Sequence, residues 1–296
     1  DILHPSKPSF VPVKIKEDIS REEMHIVAEQ SEELAGVFIT VSGKRHYPYE
    51  KIASHIVGYL GKISPEEYKY KRHIGFLIDD YVGRAGIEYL FNEVLHGVHG
   101  GKQIEVNARG QEMRVLALKK PFKGDDIHLT IDIELQEKIH SLVSSEKASV
   151  CLMNIKTGEI TALVSTPGYD PNAFVTPSRS SERLDLLHDK TLPFLNRGIS
   201  SPYPPGSVFK LVTALAALEA GKITPHTQLK CTGAYKLNPN SRAFHCWSQY
   251  GHGNVTLEKA LQQSCNIYFY KIGRMLGADG IAAFAKKIGL NNTFSL

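Results

Sequence analysis

The amino-acid sequence predicts an α+β chain of two domains, on three observations. Its 296 residues leave room for about two domains at roughly 100–200 residues each. A strong hairpin signal over residues 150–164 is followed by segments whose apolar residues recur at helical rather than alternating spacing. Between structured segments the chain turns polar at Lys119-Lys120-Pro121-Phe122-Lys123-Gly124-Asp125-Asp126, and the boundary is placed there, giving domains 1–126 and 127–296.

Composition narrows the function classes. Hydrophobic residues at 42% and charged residues at 22% are close to the globular average, which excludes wholesale disorder. The longest apolar run, residues 211–218, falls far short of the roughly 18 residues a membrane span needs. The opening Asp1-Ile2-Leu3-His4-Pro5 has no signal-peptide character, so any membrane anchor is expected outside these residues. The net charge of +4 is spread among interspersed signs, with only short groups such as Lys69-Tyr70-Lys71-Arg72, and no nucleic-acid partner is expected. Four cysteines are too few for a disulfide scaffold, but three of them lie between positions 231 and 265.

The elements follow in order. Residues 1–20 read as Pro-rich and extended. Ser20 and Glu23 form a capping-box pair, predicting a helix over residues 21–34 that Gly36 ends. Residues 37–41 read as a strand, and residues 44–125 as short helices among Gly-rich turns. Residues 127–131 read as a strand, after which Asp132 caps a helix reaching about Ser144. Residues 150–155 and 160–164 flank Lys156-Thr157-Gly158-Glu159, the predicted hairpin turn, and both arms are apolar enough for a covered sheet. Residues 165–205 hold seven prolines and little periodicity, which predicts a long functional loop region. Helices are predicted at residues 207–220, 256–264, 267–276 and 280–288.

The most informative stretch is Tyr203-Pro204-Pro205-Gly206-Ser207-Val208-Phe209-Lys210. Two prolines and a glycine force a turn, and a helix begins at once. Ser207 is then at the helix N-terminus, where unpaired N–H groups and the dipole favour developing negative charge. Lys210 lies one turn on, on the same face, among Val208, Phe209 and Leu211. Desolvation there would lower its pKa and let it act as base toward the serine. Taken alone, the pair also reads as an N-cap serine and a surface lysine. Ser264-Cys265-Asn266 supplies the check, a Ser-x-Asn at a helix junction 57 residues after Ser207. Ser-x-x-Lys followed by Ser-x-Asn is the constellation of penicilloyl-serine transferases.

At these residues the chain resembles the class B penicillin-binding proteins, and within them the penicillin-binding protein 2 group of the cell-elongation machinery. The resemblance spans essentially the whole chain. It includes Arg45-His46-Tyr47-Pro48-Tyr49, Ala53-Ser54-His55-Ile56-Val57-Gly58-Tyr59, Gly86-Ile87-Glu88 and Thr130-Ile131-Asp132. It implies a non-catalytic, dimerisation-like pedestal domain followed by the N-terminal part of a transpeptidase domain of the serine β-lactamase-like fold. The family's third motif, a Lys-Ser/Thr-Gly strand after Ser-x-Asn, has no counterpart before Leu296. Lys156-Thr157-Gly158 spells it but precedes the nucleophile and reads as a hairpin turn. The expectation is a chain truncated at its C-terminus and, as it stands, inactive.

The resemblance also implies a reaction, peptidoglycan D,D-transpeptidation. Ser207 would attack the D-Ala-D-Ala carbonyl of a stem peptide, Lys210 would take its proton, Ser264 would relay it, and Asn266 would bind the substrate's amide. β-Lactams would trap the acyl-enzyme. Implied company is a polytopic RodA-like glycosyltransferase and an MreC-like rod-shape scaffold, on the periplasmic side of the bacterial inner membrane. Two rivals stand beside this reading: a serine β-lactamase or β-lactam sensor, and a non-catalytic partner-binding module.

A structural zinc site is expected at Cys231, Cys246, His252 and Cys265, a Cys₃His set. The 14 residues between Cys231 and Cys246 have too few apolar side chains to pack unaided. Gly251-His252-Gly253 frees the backbone to aim the ring, and Cys265 should point behind the cleft faced by Ser264 and Asn266. The resemblance adds weight, since members of the group carry zinc at matching positions. Free thiols, or one disulfide, are the alternative, and His245 is the rival nitrogen ligand.

Overall fold

A computed structural model describes residues 14–30, 33–34, 37, 39–107 and 112–290. The chain divides into two compact units, Asp1–Ser201 and Pro202–Leu296. Residues 127–201, grouped with the second domain in the sequence reading, pack within the first unit.

The first unit opens with α1 (Arg21–Glu29), where Ser20 Oγ accepts the Glu23 N–H and the Glu23 carboxylate accepts the Ser20 N–H. The capping box is as expected, but the helix stops five residues short of Leu34. None of its residues is buried. The expected stop at Gly36 and the extended segment 1–13 lie outside the described residues. The strand expected over 37–41 does not form at its described positions, and Phe38 lies outside them.

Short elements follow: α2 (Ser54–Val57), β1 (Leu60–Lys62), α3 (Pro65–Lys71), β2 (Tyr81–Gly83), α4 (Gly86–Leu90) and α5 (Asn92–His96). β1 and β2 pair antiparallel. Two of the quoted sequence segments meet at Glu88, which is buried: Arg45 Nε lies 2.8 Å from its carboxylate, and the Tyr47 hydroxyl is 3.1 Å from it. A buried carboxylate is tolerated only when paired in this way. Next comes a hairpin absent from the sequence reading, β3 (Gly101–Val106) against β4 (Glu112–Lys119).

α6 (Ile133–Val143) is capped by Asp132, which accepts the Leu135 N–H at 3.1 Å. The strand expected at 127–131 does not form; the segment is pinned to its neighbour by Thr130 Oγ1 donating to Ile160 O at 2.6 Å and Asp132 N–H to Thr161 O. The predicted hairpin is present as β5 (Ser149–Met153) against β6 (Ile160–Ser165), with Lys156-Thr157-Gly158 at its turn. Only β6 is covered. Ala162 and Val164 are fully buried, whereas β5 lies largely exposed, with Leu152 at 39% and Met153 at 55%. The expected loop region 165–205 is partly helical, with α7 (Asn172–Val175) and α8 (Ser180–His188). Behind α7 the rings of Tyr59, Tyr169, Phe174 and Phe194 cluster at centroid separations of 4.4–6.2 Å.

One polar side chain joins these pieces. Gln136 of α6 is 1% exposed. Its amide donates to Leu163 O at 2.8 Å and Ile52 O at 3.1 Å, and accepts the Leu163 N–H at 2.9 Å. It thus serves both backbone groups of a β6 residue as a neighbouring strand would.

The second unit runs through a 3₁₀ turn (Gly206–Val208) into α9 (Phe209–Glu219). Then come β7 (Leu229–Cys231), β8 (Ala234–Tyr235), β9 (Phe244–His245), β10 (Gly253–Val255), α10 (Leu257–Gln262) and α11 (Asn266–Lys287). β7 pairs with β10 and β8 with β9, both antiparallel. The two last helices expected from sequence are both present within α11, separated by a non-helical break at Gly277 (φ 73°, ψ 167°). α9 turns Ala214 and Ala217 toward Ile267, Tyr268 and Ile272 of α11, and small residues on one face let the helices approach closely.

Replacing Gln136 with alanine should leave Leu163 N–H, Leu163 O and Ile52 O without partners in a dry site. Loss of about 3 kcal/mol is expected. Urea unfolding followed by circular dichroism checks this; an unchanged midpoint would mean water substitutes for the amide.

Candidate active site

Pro204, Pro205 and Gly206 (φ 53°) turn the chain into the 3₁₀ turn that holds Ser207. Val208 N–H is already bonded to Pro205 O at 3.2 Å, but Ser207, one residue earlier in the turn, has no preceding helical carbonyl to take its N–H, so its amide is available to a ligand. Lys210 follows in the first turn of α9, and Ser264 and Asn266 flank the junction between α10 and α11. Ser264 sits at φ 48°, a conformation costly for a residue with a side chain.

All four predicted residues come together. Lys210 Nζ donates to Ser264 O at 2.8 Å, to Ser264 Oγ at 2.9 Å and to Asn266 Oδ1 at 2.7 Å. Ser264 Oγ lies 3.0 Å from Ser207 Oγ. Lys210 therefore reaches Ser207 through Ser264; among the described residues no hydrogen bond joins the two directly. Burial holds the Lys210 pKa below the ordinary lysine value, against the opposing field of Cys246 and Cys265. The expected surroundings need correction. Val208 is 72% and Leu211 53% exposed, and the ammonium instead lies 5.7 Å from the ring centre of Phe269 in α11. Asn266 gives one of its N–H groups to His245 O at 3.2 Å. The roles of Phe269 and the His245 carbonyl were invisible in the sequence, being set by tertiary contacts.

Behind this junction lies the cysteine–histidine group. Cys231, Cys246 and Cys265 are buried free thiols, and one ligand atom from each, with one from His252, lies within 4.8 Å of the others. The β7–β10 register sets Gly253 opposite Cys231, which brings His252 beside it. Gly251 takes φ 79°, and a Cβ there would stand 2.2 Å from Cys231 O, so no other residue allows this approach. His252 Nδ1 is 3.6 Å from Cys231 Sγ and 3.5 Å from Cys246 Sγ. With bonds of about 2.3 Å to sulfur and 2.0–2.1 Å to nitrogen, the S···N edge of a tetrahedral zinc site is about 3.6 Å, so the donors present could hold that ion. Cys265 is fully buried and its Sγ belongs to this group of donors. Burial pushes its thiol pKa up to about 12. The Cys246 thiol is held below its usual value: burial opposes this but is outweighed by backbone N–H groups of Ser248, Asn266 and Ile267, the last two at the start of α11. His245 offers its backbone carbonyl to Asn266 and is not among the clustered donors.

Residues 148–296 match the penicillin binding protein transpeptidase domain, and residues 1–129 the penicillin-binding protein dimerisation domain. The peptidoglycan D,D-transpeptidase MrdA of Escherichia coli is 33% identical over 284 residues, covering 95% of this chain and 45% of that protein. Penicillin-binding protein 3 of Bacillus subtilis is 32% identical over 290 residues, 96% of this chain and 41% of that protein. The chain thus spans about half the length of the curated relatives it matches. Among solved structures, the complex of penicillin-binding protein PBP2 and MreC from Helicobacter pylori matches with TM-score 0.84 and 28% identity, over 99% of this chain and 54% of that one. Pseudomonas aeruginosa PBP2 in complex with WCK 5153 matches with TM-score 0.70 and 31% identity, over 88% of this chain and 53% of that one. With a dimerisation segment preceding a transpeptidase segment that carries Ser207, Lys210, Ser264 and Asn266 in one hydrogen-bonded group, the chain belongs to the class B penicillin-binding proteins, in their penicillin-binding protein 2 branch.

Proposed function

We propose that the protein to which this chain belongs is a peptidoglycan D,D-transpeptidase that cross-links stem peptides through an acyl-enzyme on Ser207 and is a target of β-lactams. The observation that carries the reading is the hydrogen-bond chain from Lys210 Nζ through Ser264 Oγ to Ser207 Oγ, at 2.9 and 3.0 Å. A hydroxyl can turn either way, and the protonation of Lys210 sets the direction. With an ammonium, Lys210 donates to Ser264 and Ser264 donates to Ser207. With the neutral amine, two N–H groups stay on Ser264 O and Asn266 Oδ1, and the lone pair faces Ser264 Oγ. The chain then reverses: Ser207 O–H donates to Ser264, and Ser264 O–H to Lys210.

In that state Ser207 Oγ attacks the D-Ala-D-Ala carbonyl while its proton passes through Ser264 to Lys210. The Ser207 amide offers a hydrogen bond to the developing oxyanion. Returned through Ser264, the proton leaves with D-alanine, and an amine of a second stem peptide takes the acyl group. The relatives named transpeptidases and the dimerisation segment favour this over a β-lactamase, a sensor or a pure binding module. Stem peptides and β-lactams are thus the proposed ligands. An MreC-like scaffold and a RodA-like glycosyltransferase are the proposed company, on the MreC-bound relative and on a structural neighbour described as a peptidoglycan synthase complex. The proposed location is the periplasmic face of the inner membrane; among the described residues no helix is long and apolar enough to cross it. Cys231, Cys246, His252 and Cys265 are proposed to hold a structural zinc that braces Ser264 and Asn266 from behind.

In a protein that contains this chain, fluorescent penicillin should label Ser207, and Ser207→Ala should abolish the label. Retained labelling would remove Ser207 from its role. Ser264→Ala should slow acylation about 10²–10⁴-fold, as expected for a lost proton relay. The acylation rate should rise with pH as Lys210 loses its proton, with a midpoint below the ordinary lysine value; a rate that falls over that range would contradict the amine as base. One zinc per chain should resist dialysis, and X-ray absorption should find sulfur at about 2.3 Å and nitrogen at about 2.0–2.1 Å. A disulfide between any two of the three cysteines would exclude the site.

A further inference from the structure

In the first unit, far along the sequence from any residue assigned above, two histidines converge on one carboxylate oxygen. His96 Nε2 lies 2.9 Å and His99 Nε2 2.8 Å from Asp80 Oδ2. His96 ends α5, His99 stands just before β3, and Asp80 stands just before β2, so three separate elements contribute. The group is partly enclosed: side-chain exposure is 11% for His96, 13% for Asp80 and 39% for His99.

The other nitrogen of His96 decides what the group can bind. Nδ1 lies 3.1 Å from the Gly97 carbonyl oxygen, which has only lone pairs to offer. Nδ1 therefore carries the hydrogen, and in a neutral ring Nε2 is a bare lone pair facing a carboxylate oxygen. Two electron-rich atoms at that separation need a cation between them, either a second ring proton or a metal ion. A backbone carbonyl fixing one nitrogen while the other faces a carboxylate is also the arrangement that orients a metal-binding histidine. The ring cannot easily turn away, because it stacks on Phe76 with centroids 3.8 Å apart. The Leu77 N–H, 2.7 Å from Asp80 Oδ2, holds the carboxylate in place.

The ligand atoms of Asp80, His96 and His99 all lie within 4.8 Å of one another. At metal–ligand bonds of about 2.1 Å, neighbouring donors at right angles stand about 3.0 Å apart, close to the N···O separations here. Two imidazoles and a carboxylate without sulfur suit a borderline divalent ion with open positions for water. We propose that Asp80, His96 and His99 bind a divalent transition-metal ion, such as Zn(II) or Co(II), independently of the cysteine–histidine group. The ion clasps the turn before β2 to the end of α5 and the start of β3, fastening parts of the pedestal that share little apolar core.

Cobalt titration of the metal-free 296-residue chain separates the two sites. Cobalt on thiolates gives intense near-ultraviolet charge-transfer bands, whereas cobalt on nitrogen and oxygen gives only weak visible d–d bands. The expected result is a d–d component that saturates at micromolar free metal and is separate from the thiolate charge-transfer bands of the cysteine–histidine group. His99→Ala removes a half-exposed ring and should weaken that binding at least tenfold, as loss of a ligand does. Asp80→Asn should do the same, and both variants should keep the wild-type circular dichroism and any thiolate bands. Unfolding in cobalt should then show a metal-dependent rise in Tm that His99→Ala reduces. Failure of wild type to develop the sulfur-free bands up to millimolar cobalt overturns the proposal. So does undiminished binding by a folded His99→Ala variant, which would leave Asp80 and the histidines as a proton-linked ion pair. Failure of the cysteine–histidine zinc reading would instead remove the charge-transfer bands and leave this result standing.

Discussion

Three hydrogen bonds from a single nitrogen hold the second unit's chemistry in place. Lys210 Nζ spends every N–H of its ammonium form on Ser264 O, Ser264 Oγ and Asn266 Oδ1, residues 54–56 positions away. Closing so long an excursion costs entropy, and Ser264 adds backbone strain at φ 48°. The bonds offset both because α9 and α11 already lie against each other through Ala214, Ala217, Ile267 and Ile272. Packing sets the distance, and the ammonium then selects the geometry of the helix junction. The same nitrogen must surrender a proton to act as a base, so support of the junction and basicity are linked in one group.

Behind the junction, Cys265 ties the cysteine–histidine group covalently to the hydrogen-bonded residues, because it stands between Ser264 and Asn266. The start of α11 directs N–H groups of Asn266 and Ile267 at Cys246 Sγ. One helix terminus thus stabilises negative charge on a sulfur while its first residue accepts from Lys210. Displacing the Cys265 thiol would be felt at Ser264 through a single peptide unit.

Much of this was legible because its signals are local. Ser20 and Asp132 cap helices where a side-chain oxygen before an apolar-periodic run says they should. Ser207, Lys210, Ser264 and Asn266 were readable because a turn, a helix start and two short spacings carry the pattern. What escaped reading depends on distant partners. Residues 127–131 have strand-like composition, yet single contacts to Ile160 and Thr161 replace a ladder. β5 is as apolar as β6, but exposure depends on what lies over it. The β3–β4 hairpin was hidden behind its glycines and a bulged register. Gln136 gave no signal, because a buried amide that imitates a strand edge is defined by Ile52 and Leu163. Asp80 stands 16 and 19 positions before His96 and His99, too far along the chain for a local pattern to tie the carboxylate to the rings.

The sequence contains a single tryptophan, and its location gives the chain an optical property. Trp247 Nε1 donates to the carbonyl of Gln263, the residue before Ser264, at 2.9 Å, and its ring stands edge-on to His252 at 5.1 Å. The indole is two-thirds exposed and lies next to Cys246, so its emission responds both to solvent and to quenching by neighbouring sulfur and imidazole. With no other indole in the chain, every tryptophan photon originates at the joint that carries the α10–α11 turn. Fluorescence intensity and lifetime therefore read out the state of that joint in the unlabelled chain, without interference from the first unit.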